Sequence, residues 1–108
     1  MRQLKQALER LAWTSDEQLE FVSRHRVGPD ELALLFDDAF RPVMGVVSDG
    51  GLPQSIAEAL VPVDQILAEM TEAGLDEWTQ EALSTSRRWA MLRSAARESI
   101  EGLDKVEP

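Results

Sequence analysis

The sequence predicts an all-α fold, a compact antiparallel bundle of about five helices, one of them kinked at Pro62, with no substantial sheet. Three observations predict it. Apolar residues recur at steps of three or four through most of the chain, the period of a helix that buries one face. Glycine, proline and capping residues interrupt that period near 28–29, 49–53 and 74–76, at spacings that suit helices. Finally, 108 residues suffice for one hydrophobic core but not for two. Residues 1–103 are therefore read as a single helical domain and 104–108 as a frayed tail.

The first helix rests on Leu4, Ala7, Leu8 and Leu11, with its basic residues outward. After Trp13 the phase changes, and either Thr14 with Glu17 or Ser15 with Gln18 supplies a capping box for a second, short helix. That helix should close at Gly28-Pro29, glycine capping it and proline opening the next. The third helix, 29–43, carries Leu32, Leu35, Phe36, Ala39, Phe40 and Val43 on one broad face, with Asp30 and Glu31 at its positive end. Pro42 and Gly45 are expected to end it, and Val46-Val47 to lead as a loop or short extended piece into an Asp49-Gly50-Gly51 turn.

Residues 53–73 keep one apolar phase across Pro62, which predicts a fourth helix bent or broken there. Gly74 should cap it, with Leu75 making the accompanying apolar contact and Asp76 starting the next helix. The stretch 76–103 organises the rest: Trp78, Ala82, Thr85, Trp89, Leu92, Ala96, Ile100 and Leu103 form one stripe. Ser84-Thr85-Ser86 interrupts it with residues that prefer caps, so periodicity leaves one helix or two open. The stripe is expected to pack on Leu32, Phe36 and Phe40 of the third helix.

Composition removes several function classes. No cysteine means no disulfide, thiolate zinc site or cysteine nucleophile. The N-terminus lacks the apolar run of a signal peptide, and no window has the length of a membrane span, so a cytoplasmic location is expected. A formal charge of −9 argues against nonspecific nucleic-acid binding and favours a basic partner. Within that acidic background, 84–97 holds Arg87, Arg88, Arg93 and Arg97 and no acid. Arg93 borders the apolar stripe, so an ion pair with Asp37 or Asp38 is the expected structural use of its charge. The functional alternative makes the four arginines, with Leu34 as an exposed apolar neighbour, a candidate interaction face.

No catalytic, cofactor or metal residue is assigned. His25 stands alone, without a second histidine or a Glu-x-x-His pair. Glu17 with Glu20 and Glu69 with Glu72 lie at i, i+3, a spacing that resembles one fragment of the all-α nucleotide pyrophosphatase signature, but its second acidic motif is missing. One histidine and no Gly-x-Ser-x-Gly elbow leave a serine triad unsupported.

Laid end to end, Leu4, Ala7, Leu8, Leu11 and Ala12, then DELALLFDDAF at 30–40, the 43–51 loop and the Trp89-led WAMLRSAA helix resemble small actinobacterial helical proteins of unknown function. The resemblance implies a break before Trp89 and supplies no activity. Nine arginines against two lysines suit a bacterial source. The function expected from the sequence is an acidic protein-binding module that neutralises a basic partner, as immunity proteins and antitoxins do. The alternatives are a Mg²⁺-dependent enzyme or ligand-binding protein with at least three converging carboxylates, and a structural homodimer built on the terminal Trp helix.

Overall fold

The computed structural model describes residues 1–106. Its elements, in order, are α1 (Arg2–Ala12), α2 (Ser15–His25), α3 (Asp30–Ser48), α4 (Gln54–Ala73), a 3₁₀ turn (Leu75–Trp78), α5 (Gln80–Thr85) and α6 (Arg87–Val106). The architecture is an all-α bundle, with no strand among the described residues. All four residues that predicted α1 are buried. Of the two capping boxes, the one that forms is Thr14 with Glu17: Thr14 Oγ1 accepts from the Glu17 N–H at 3.2 Å, and Glu17 Oε1 accepts from the Thr14 N–H at 3.0 Å.

α6 is the central helix, packed on α4 and on α1. Trp89, Leu92, Ala96 and Leu103 are fully buried there, each large apolar side chain contributing about 1.5 to 3 kcal/mol. Lys5 near the start of α1 pairs with Asp104 near the end of α6 at 3.2 Å, which fixes the two as antiparallel. The α4 side is closer still. Ser99 Oγ donates to the Ala59 carbonyl at 2.6 Å, and a Cβ added at Gly102 would sit 3.3 Å from that of Ala59. Glycine here permits the approach.

Several expectations fail for local physical reasons. α6 packs mainly on α4 and α1, and α1 in turn on α3, so the third helix is not the principal partner of α6, although Leu32, Phe36, Trp89, Leu92 and Ala96 are buried in the same core. α3 runs on through Pro42 and Gly45 to Ser48. Pro42 and Asp38 are both exposed, so water can serve the carbonyl that proline leaves without a donor, and buried Val47 anchors the extra turn. Val46-Val47 is thus helical, and the turn begins only at Asp49. α4 likewise continues as one helix through Pro62, which lies on its exposed side, so of the expected bend or break the break does not occur.

The cap of α2 is Arg26, not Gly28. Arg26 adopts φ 54°, ψ 44°; its N–H donates to the Ser23 carbonyl and that of Val27 donates to the Val22 carbonyl, so the helix closes two residues before the glycine. Gly74 has φ 101°, but Leu75 is 87% exposed and makes no capping contact. Asp76 falls inside the 3₁₀ turn; Thr79 instead caps α5, its Oγ1 accepting from the Ala82 N–H at 3.1 Å. The stretch 76–103 is therefore three elements, with the break at Ser86, and Thr85 is exposed. At the other end, α6 remains helical through 104–106, and the fraying expected from 104 does not occur there; residues 107–108 lie outside the described residues.

Candidate protein-binding groove

Asp30, Leu34, Asp37 and Arg41 follow one another at i, i+4, i+7 and i+11, so they share a flank of α3. Asp64, Leu67, Ala68 and Thr71 share a flank of α4 by the same rule. The two flanks enclose a groove of about 390 Å³, closed at one side by Trp78 of the 3₁₀ turn. Its floor is apolar: Leu34 is 51% exposed, and Leu67 and Trp78 are half-buried. Three aspartates stand around that floor against one arginine.

The single arginine is already engaged. Arg41 Nε donates to Asp37 Oδ2 at 2.8 Å, but both side chains face solvent, and such a pair is worth only about 0 to 1 kcal/mol. An incoming cation can displace Arg41 at little cost. The Thr71 hydroxyl is turned away, donating to the Leu67 carbonyl at 2.9 Å. The indole N–H of Trp78 has no partner among the described residues, which leaves a donor beside an apolar wall.

Trp78 is held from behind. Its ring meets that of Trp89 edge to face, with centroids 5.9 Å apart. Trp89 Nε1 also donates to the Glu77 carbonyl at 2.6 Å, tying the 3₁₀ turn to the core. The Glu77 carboxylate is fixed as well, Oε1 accepting from Ser86 Oγ at 2.9 Å. Its Oε2 is buried without a hydrogen bond, and Nη1 of Arg88 lies 3.8 Å away. The groove wall is therefore pre-set by core residues.

The four arginines of the candidate face do not act together. Arg93 is half-buried and bonds neither Asp37 nor Asp38, which corrects the expected ion pair. Its Nη1 donates to Gln18 Oε1 and to the Leu83 carbonyl, both at 3.0 Å. Asp37 pairs with Arg41 on α3, and Asp38 is exposed. Gln18 is fully buried, and its Nε2 donates to the Arg10 and Leu11 carbonyls. Gln18 and Arg93 thus serve carbonyls at the C-terminal ends of α1 and α5, Arg10 sharing its carbonyl with the Trp13 N–H, and a cation there also suits the helix dipole. Burial pushes the Arg93 guanidinium below its ordinary pKa, and the like charge of Arg97 pushes the same way.

Arg87, Arg88 and Arg97 are exposed. Arg87 and Arg88 border a depression with Glu69, Glu77 and Met91, whereas Leu34 belongs to the α3–α4 groove, which none of the four arginines lines. The predicted face is thereby divided. His25 is exposed, with Nδ1 2.9 Å from the Phe21 carbonyl and its ring against that of Phe21. Glu17 is occupied in its capping box, and Glu20 accepts from Arg24 at 3.0 Å. Among the described residues no three of histidine, aspartate and glutamate are placed to hold a metal ion, and no helix is long and apolar enough to cross a membrane.

Of the groove residues, sequence reasoning singled out Leu34 and Asp37 and missed Asp64, Leu67 and Trp78. The available signal was a second α3 flank at i, i+4, i+7, centred on an exposed leucine between aspartates. No family model, curated protein or solved structure matches this chain.

Proposed function

We propose that this protein is an acidic binding module whose α3–α4 groove receives an apolar side chain carried on a basic segment of another protein, in the manner of immunity proteins and antitoxins. The observation that carries the reading is the groove itself: an exposed Leu34 and a half-buried Trp78 between Asp30, Asp37 and Asp64. An apolar anchor ringed by charges of one sign fits a complementary segment, the anchor supplying affinity and the charges orientation and encounter rate. The floor lies too open to solvent to enclose a small molecule, which usually buries about 70 to 90% of its surface. The net charge of −9 favours a basic partner over nucleic acid. A bacterial, cytoplasmic setting and kinship with the actinobacterial helical proteins belong to the same proposal, supported by the 30–40 motif, the Trp89-led helix, the lack of cysteine and the preference for arginine.

Calorimetric titration with a helical Lys/Leu peptide, and with a Lys/Ser peptide of equal charge, tests this. The Lys/Leu peptide should bind more tightly, and its affinity should fall with salt. Leu34→Ser, and separately Asp30→Lys with Asp64→Lys, should each weaken it about tenfold, a loss of about 1.4 kcal/mol. Equal affinities for both peptides, or for wild type and both variants, would reject the groove.

A further inference from the structure

The α6 stripe of Trp89, Leu92, Ala96 and Leu103 is consumed by the core, so it cannot also serve as an interface. A second face of α6 stays open. Arg87, Met91, Ser94 and Glu98 fall within about 40° of one line along the helix. They border a shallow depression completed by Pro62 and Ile66 of α4. Met91, 46% exposed, is its largest exposed apolar side chain. Opposite charges mark its ends: Arg87 and Glu98 stand about 16 Å apart along α6, and neither has an ion pair or hydrogen bond among the described residues.

We infer that this face is the two-fold interface of a homodimer, with α6 of one copy antiparallel to α6 of a second and the axis passing between Leu92 and Arg93. The charges fix that register. Setting Arg87 opposite Glu98 of the second copy necessarily sets Glu98 opposite Arg87 of the second copy, the reciprocity a closed two-fold contact requires. The same register places Met91 against Ser94, and Ser94 and the exposed Ala90 are small side chains that let two helices approach closely. Arg88 and Arg97 lie about 100° to one side of the line and 80° to the other, so the two-fold keeps them apart.

Arg87 and Glu98 leave the contact line itself neutral on a chain of net charge −9, so two copies meet there without setting like charges opposite one another. The dimer also leaves the groove open, because Asp64, Leu67 and Thr71 lie on the side of α4 away from Pro62 and Ile66. Each dimer then presents two grooves.

Sedimentation equilibrium over a wide concentration range tests the interface, using wild type, Arg87→Glu, Glu98→Arg and the double reversal, each checked for helicity by circular dichroism. Wild type should rise from 12.1 kDa toward twice that mass. Each single reversal should weaken dimerisation at least about tenfold, and the double reversal should restore it, since the reciprocal pairs re-form with signs exchanged. A wild type that stays monomeric to millimolar concentration overturns the proposal, whatever else covers the face. So does a dimer indifferent to the single reversals, or a double variant no better than the singles.

Discussion

Arg93 Nη1 donates to Gln18 Oε1 at 3.0 Å, joining helices 75 residues apart in sequence through a fully buried amide. Gln18→Ala removes that charge-assisted bond and strands the Leu11 carbonyl of α1, the Arg10 carbonyl keeping the Trp13 N–H, so it should cost about 2 to 4 kcal/mol in chemical unfolding. A double-mutant cycle with Arg93→Ala should show coupling above about 1 kcal/mol. A cycle of Arg93 with Asp37 should show none, because Asp37 is bonded to Arg41. Coupling to Asp37 in place of Gln18 would contradict this arrangement.

Trp89 should carry two separable contributions. Trp89→Ala empties a fully buried site and should cost about 3 to 5 kcal/mol. Trp89→Phe keeps a ring but deletes the donor to the Glu77 carbonyl, and should cost about 1 to 2 kcal/mol. The Phe variant should also loosen Trp78, read as a red shift and stronger quenching of its fluorescence. An unchanged Trp78 signal would show that the groove wall does not depend on this bond.

These two residues also mark what the sequence could and could not disclose. Local rules placed α1 and narrowed the α2 cap to two boxes, of which Thr14–Glu17 forms, since an amphipathic period and a cap depend only on neighbours within a few positions. The partner of Arg93 was hidden because charge counting looks for a carboxylate, whereas burial supplied an amide and a carbonyl. Trp78 was assigned to the core stripe because its spacing to Ala82 fits an α-helix; the 3₁₀ turn and the Thr79 cap reset that phase, and Trp78, still packed against the core, also lines the groove. Leu34 stood out as an exposed leucine, but that α4 faces it across a groove is tertiary information. Pro42 was read as a stop because the rule against helical proline assumes that the orphaned carbonyl is buried.

Both internal prolines lie on solvent-facing sides of their helices. Pro42→Ala and Pro62→Ala should each leave the fold intact and restore a backbone donor, with part of the gain offset by a freer unfolded chain. A net increase of about 1 to 2 kcal/mol, seen as a higher urea midpoint at unchanged slope, is expected. A lower midpoint would mean that the proline geometry is required by packing.

Arg26 occupies the left-handed region at φ 54°, a conformation that costs a non-glycine residue about 1 to 2 kcal/mol. Arg26→Gly relieves that cost and gives back part of it as backbone entropy, so a gain of about 0.5 to 1 kcal/mol is expected. Destabilisation on this change would show that the Arg26 side chain supplies contacts outweighing its backbone strain.

The central claim is that the α3–α4 groove, and not the arginine-rich stretch of α6, is the recognition surface. Amide chemical-shift mapping of the ¹⁵N-labelled protein, titrated with the Lys/Leu peptide and separately with a Glu/Leu peptide, tests it most directly. The predicted result is that the Lys/Leu peptide shifts the amides of Leu34, Asp37, Asp64 and Leu67 together with the Trp78 indole N–H, while the Glu/Leu peptide shifts none of them. Strong shifts by the Glu/Leu peptide centred on Arg87, Arg88 and Arg97, with Leu34 and Trp78 unmoved by either peptide, would contradict it.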